Sequence, residues 1–162
     1  MQKDGIDYRG FIFIGLMNVD GNPQVIEYNV RMGDPETEAV LPRIKNDFLE
    51  ILEASCTQNL SKLNLQIDER FATTVISVAG GYPESYDKGK VITGLEQEQE
   101  SILFHAGTKS ENGNVVTNGG RVFATTGIGN TMEEALESAY KTVEKVNWEG
   151  KNYRKDIGFD LR

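Results

Sequence analysis

Residues 11–36 read FIFIGLMNVDGNPQVIEYNVRMGDPE, and the order of apolar, turn and acidic residues in this stretch decides the class of fold. Residues 11–17 are apolar on both alternating faces, as expected of a strand covered from both sides and central in a sheet. Residues 18–23 are dense in turn formers, and residues 24–31 then read as a second strand, so the two predict an antiparallel hairpin. Gly33 lets the chain turn again. Asp34 has the side chain of a helix N-cap, Pro35 suits the first helical position, and Glu36 and Glu38 complement the helix dipole. Val40, Leu41, Ile44, Phe48, Leu49, Ile51 and Leu52 continue as a helical stripe to about Cys56. Pro42 removes one backbone donor within it, which predicts two short helices or one bent one.

Beyond this stretch the pattern changes. Residues 59–70 are polar and irregular, and a boundary there divides the chain into residues 1–66 and 67–162. Strands are predicted at 72–79, 89–95, 101–106, 115–118 and 121–126, separated by glycine-rich turns, which points to a small antiparallel sheet or partial barrel. Thr131 and Glu134 form a T-x-x-E capping box. After it Met132, Ala135, Leu136, Ala139, Tyr140, Val143 and Val146 recur at helical spacing, giving a helix that must cover the sheet. The expected class is α+β: a hairpin with a helix, then a β-rich partial-barrel unit with a packed helix.

Composition limits what such a fold does. Its 162 residues suit one compact unit or two small ones, and 38% apolar residues suffice for a core. Seventeen basic against 25 acidic residues leave a net charge of -8, so the overall field repels nucleic acid. The seven-residue run 11–17 is far short of the roughly 20 needed to cross a bilayer, and the first ten residues lack the shape of a signal peptide. A lone Cys56 agrees with a reducing compartment. The expectation is a soluble, cytoplasmic protein that binds neither nucleic acid nor membrane.

Chemistry concentrates in residues 27–36. Strand periodicity puts Glu27, Asn29 and Arg31 on one face and Ile26, Tyr28 and Val30 on the other. Alternate residues lie about 6.6 Å apart along a strand, within reach of one hard cation with oxygen ligands at about 2.0–2.1 Å. Glu27 and Asn29 are therefore a candidate magnesium pair. Magnesium usually completes its shell with water and substrate phosphates, so the adjacent Arg31 points to a nucleotide-phosphate site. The plainer alternative makes these residues a solvated sheet face, with Glu27 and Arg31 a surface ion pair of about 0–1 kcal/mol. Gly80-Gly81-Tyr82-Pro83 and Asn118-Gly119-Gly120-Arg121 are candidate phosphate cradles, but neither matches a phosphate-loop or dinucleotide pattern, and turns explain such glycines more often. His105 reads as a structural histidine, and Cys56 as a half-buried thiol at a helix end. Tyr153-Arg154-Lys155-Asp156 is either substrate-facing or a charged tail docked on the surface.

The runs YRGFIFIGLM, VIEYNVRMGDPETEAVLPRIKNDFLEIL, GGYPESYDKGKVITGL, LFHAGT, NGGRVFATTGIGNTMEEALESAY and YRKDIGF, in this order, resemble the phosphoribosylamine-glycine ligase (glycinamide ribonucleotide synthetase) family. These are ATP-grasp enzymes of purine biosynthesis. RMGDPETEA resembles the family's signature segment, with Met32 in place of the usual Leu or Phe. The resemblance implies activation of glycine by ATP to glycyl phosphate, which the amine of phosphoribosylamine attacks. It implies Glu27 and Asn29 as magnesium or manganese ligands, Arg31 as a catalytic residue against the phosphates, and Asp34 as a helix cap. Many ATP-grasp enzymes carry a further acidic ligand on the preceding strand, but residues 11–17 contain no acid. Family enzymes are longer, so this chain resembles a C-terminal part: residues 1–66 the end of the ATP-grasp domain, residues 67–162 the C-terminal domain. The isolated chain is expected to be inactive and to self-associate through residues 11–17. The rival expectation is a non-catalytic ligand-binding or assembly module.

Overall fold

The computed structural model describes residues 1–161. Its organising element is the long strand β7 (Arg121–Gly129), flanked by β3 (Phe71–Val78) and β4 (Ile102–His105). With the short β8 (Asn152–Tyr153) pairing to β3, these form an antiparallel sheet in the order β4-β7-β3-β8. Residues 122–127 of β7 are all buried, as a strand covered on both faces should be. The ribbon of β5 (Thr108–Glu111) and β6 (Asn114–Thr117) lies beside this sheet. Residues 89–95 do not form the predicted strand. They meet neighbours only at single bridges, Val91 with Val116 and Thr93 with Asn147, because Gly94 turns the chain with φ +85°.

Helix α3 (Met132–Lys145) crosses one face of the sheet. The Thr131 hydroxyl accepts the Glu134 amide at 3.2 Å, as the capping box requires, while Glu134 reaches one residue further back and accepts the Asn130 amide at 2.8 Å. Ala139 and Val143 pack on Val75 of β3. Close approach depends on Gly127, where a Cβ would stand 2.0 Å from the Ala135 carbonyl oxygen. A second cluster gathers Ile92, Val122, Phe123, Val146 and Trp148 at the end of the sheet. At the end of α3, Lys151 donates to the Val143 and Val146 carbonyls and lies over the Trp148 and Tyr153 rings. Burial lowers its ammonium pKa.

The N-terminal part is built differently. Strands β1 (Phe13–Val19) and β2 (Asn22–Asn29) form the predicted antiparallel hairpin. Between Gly15 and Leu16 the register shifts, leaving Ile26 of β2 without a partner. Contrary to the expectation for residues 11–17, this strand is not central in a sheet. The hairpin is a two-stranded ribbon, and Ile14, Leu16, Val25, Ile26, Tyr28 and Val30 are 47–73% exposed. Its base is anchored by Phe11 stacked on Phe48 at 6.1 Å and by the Tyr8 hydroxyl donating to the Phe11 carbonyl at 2.6 Å.

The helical stripe breaks where Pro42 predicts. Helix α1 (Thr37–Val40) runs into a 3-10 turn at Leu41–Arg43, Ile44 is extended, and α2 (Phe48–Cys56) restarts with Asp47 accepting the Leu49 amide at 2.8 Å. Asp34 does not cap α1. The N-cap position falls at Glu36, whose side chain makes no capping bond. Cys56 ends α2 exposed, not half-buried.

Candidate functional site

Hairpin register places the sequence-predicted residues. Phe13 pairs with Asn29 and Gly15 with Glu27, so Glu27 and Asn29 share a face of the ribbon, opposite the one shared by Ile14 and Tyr28. Gly15 makes room for the acid, since a Cβ there would meet Glu27 Cγ at 3.0 Å. Asn29 Nδ2 donates to Glu27 Oε1 at 3.0 Å, so the two polar ends touch as a pair. Glu27 is exposed and Asn29 half-buried.

Arg31 does not join this pair. Its guanidinium is exposed and donates to the neighbouring Met32 carbonyl at 3.0 Å, so the expected Glu27–Arg31 surface ion pair is not formed. The ribbon is open and Glu27 is exposed to solvent, so its carboxylate requires no neighbouring counter-charge. Two oxygen-donor residues suit a hard cation but do not complete its shell. Among the described residues no group of three or more His, Cys, Asp or Glu is placed to hold a metal.

The following segment is fastened to the sheet. Arg121 Nη2 donates to Asp34 Oδ2 at 2.8 Å, and Thr126 Oγ1 donates to the Glu38 carbonyl at 2.9 Å while sharing a 2.7 Å hydrogen bond with Thr74 Oγ1. Residues 33–38 thereby lie against β7 and β3, on the side where Pro35, Thr74, Ile76 and Val78 border a common cavity. Arg121 belongs to the segment 118–121 that the sequence offered as a phosphate cradle but favoured as a turn, and nothing local pointed to its pairing with Asp34. His105 behaves structurally, its Nδ1 2.9 Å from the Thr108 hydroxyl and its ring edge-on to Phe123 at 4.7 Å. Gly81 takes φ +92° in a turn, in line with the turn reading of residues 80–81.

The family described as phosphoribosylglycinamide synthetase, C domain, matches residues 72–160, more than half the chain. The chain belongs to the phosphoribosylglycinamide synthetase family. The ATP-grasp (A) domain of the same synthetase matches residues 1–37, the hairpin and its following loop. Among synthetase relatives, the phosphoribosylamine–glycine ligase of Caldanaerobacter subterraneus subsp. tengcongensis is 46% identical over 157 residues, 97% of this chain and 38% of its own length. The bifunctional purine biosynthetic protein PUR2,5 of Pichia angusta is 49% identical over 97% of this chain and 20% of its own. The crystal structure of the Thermotoga maritima phosphoribosylamine–glycine ligase superposes with a TM-score of 0.81 at 43% identity, covering 96% of this chain and 38% of that one. The chain thus spans 38% of the length of the ligases it matches, and the synthetase family does not favour a non-catalytic module.

Proposed function

We propose that the chain supplies part of the ATP site of a phosphoribosylamine–glycine ligase. Such an enzyme joins glycine to phosphoribosylamine at the expense of ATP, through glycyl phosphate, giving glycinamide ribonucleotide, ADP and phosphate. The observation that carries the reading is the Glu27–Asn29 pair, hydrogen-bonded on one face of β2 within the segment that matches the ATP-grasp domain. A carboxylate and an amide oxygen are hard ligands suited to Mg2+ or Mn2+. A cation bound there supplies positive charge against the nucleotide phosphates during phosphoryl transfer. Glu27 and Asn29 hold it, and the guanidinium of Arg31, two positions on, offers donors to phosphate oxygens or to the acyl phosphate.

In this reading residues 1–66 end the ATP-grasp domain and residues 67–162 form the C-terminal domain, a division supported by the separate family matches at 1–37 and 72–160. The substrates are small molecules, and the expected place is the cytoplasm, in keeping with a lone cysteine. By itself the chain offers one open wall of a nucleotide site, so ligase turnover by the isolated chain is expected to be absent. Among the described residues no helix is long and apolar enough to cross a membrane.

Calorimetry with Mg-ATP tests the pair. The expected result is weak binding by the folded chain, lost in Glu27→Ala and reduced in Arg31→Ala. No heat at millimolar Mg-ATP, or binding unchanged in Glu27→Ala, overturns it.

A further inference from the structure

Of the chain's asparagines only Asn112 and Asn118 precede a glycine. Such a pair carries chemistry of its own. The glycine nitrogen, shielded by no side chain, can attack the side-chain amide carbon of the asparagine and close a five-membered ring. The attack needs a nitrogen free of other bonds and open space around it, and the fold grants these to one pair and denies them to the other.

Asn112 and Gly113 are the two central residues of the β5–β6 hairpin, since Glu111 pairs with Asn114. Both take positive φ, +50° and +79°, as a tight type I′ turn requires. Both are exposed, and among the described residues the Gly113 amide donates to no group. A Cβ on Gly113 would meet nothing within 4 Å. Asn118-Gly119 is pinned instead. The Asn118 and Gly119 amides both donate to the Gly107 carbonyl, at 2.7 and 3.1 Å, and a Cβ on Gly119 would stand 2.9 Å from Gly107 Cα.

We infer that Asn112 is a site of spontaneous chemical modification, where the side-chain amide becomes an acid in the folded protein while Asn118 is spared. The Gly113 nitrogen bonds to Asn112 Cγ, the Cγ–Nδ2 bond breaks, and Nδ2 leaves as ammonia with the proton that the Gly113 nitrogen gives up. Water then opens the cyclic imide at either of its two carbonyls. One opening gives aspartate, and the other gives isoaspartate, whose main chain runs through Cβ. The only co-reactant is water, and nothing is oxidised or reduced. Isoaspartate lengthens a two-residue turn by one backbone atom, which disturbs the register from Thr108–Thr117 to Glu111–Asn114. Either product adds a negative charge next to Glu111, whose carboxylate already pairs with Lys109 at 2.9 Å. The inference does not depend on the Glu27–Asn29 pair.

Ageing the whole chain in mildly alkaline buffer, followed by peptide mass spectrometry, tests it. Asn112 is expected to convert about fivefold faster than Asn118, the ratio that corresponds to a hydrogen bond of about 1 kcal/mol held by the Gly119 nitrogen. In urea strong enough to unfold the chain, the bonds to Gly107 are gone and the two rates are expected to meet. Enzymatic methylation specific for isoaspartate is expected to label the peptide that carries position 112. Asn112→Gln, whose longer side chain closes the ring poorly, is expected to lose the early release of ammonia. Equal rates in the folded chain, faster conversion at Asn118, or a ratio that persists in urea overturns the inference. Aspartate as the sole product overturns it too, because direct hydrolysis of the amide yields no isoaspartate.

Discussion

Asp34 occupies a position suited to capping a helix, yet its carboxylate accepts from Arg121, 87 positions away in sequence. Nothing local announces such a choice, because the competing partner reaches it only once β7 is in place. Exposed as it is, the pair is worth about 0–1 kcal/mol, and its role is to orient. Asp68 shows a stronger local effect. Arg70 donates to it from Nε and Nη2, the latter at 2.7 Å, and this guanidinium holds the Asp68 carboxyl well below the usual carboxylate range. The folded chain therefore binds a proton there less readily than the unfolded chain. The stability that follows is complete above the unfolded pKa of about 3.9 and is lost as pH falls through the depressed folded value. Asp68→Asn is accordingly expected to lower Tm at neutral pH, with the gap to the parent narrowing only below about pH 4. Calorimetric scans across that range check it, and a gap independent of pH would count against the Arg70 explanation.

At the scale of elements, α3 and the strands it covers were the most legible, because capping box, apolar stripe and strand alternation all point the same way. Two consequences are measurable. Thr131→Ala removes the hydroxyl that accepts the Glu134 amide and is expected to cost about 1 kcal/mol in urea unfolding. Gly127→Ala forces a methyl group into the Ala135 carbonyl and is expected to cost about 1–3 kcal/mol, with α3 lifted from β7. A neutral Gly127→Ala would mean that the helix crosses elsewhere. The hairpin was equally legible as a hairpin, and its face assignment put Glu27 and Asn29 together correctly. Apolar residues state that a strand is fit for covering, however, and do not name the cover, so the exposure of Ile14 and Leu16 was expected only from the chain's shortness beside the longer family enzymes and not from the strand pattern. Residues 89–95 failed for a related reason: their alternation is met by single bridges instead of a ladder. The cavity under Pro35 was invisible because its walls are far apart along the chain.

Taken whole, the molecule has a tight C-terminal half and an open N-terminal ribbon. Unpaired ribbon edges and contiguous apolar side chains favour association. We propose that the chain self-associates through this face, and light scattering is expected to show a mass that rises with concentration. The double variant Leu16→Lys, Tyr28→Lys places charge on the face away from Glu27 and is expected to restore a monomer. A parent that stays monomeric at high concentration would remove this reading. The same contrast orders the backbone by protection. Amides of β7, sealed between two neighbouring strands and beneath α3, are expected to exchange with deuterium last, at the rate of global unfolding, and those of the ribbon first.

The Lys151 ammonium that closes α3 is wedged over two aromatic rings, with its hydrogens committed to the Val143 and Val146 carbonyls. Although burial lowers its pKa, an amine so enclosed offers little access to acylating reagents. In a labelling experiment it should stay unmodified long after the surface lysines have reacted, and the moment it is finally acylated would report the helix end coming loose.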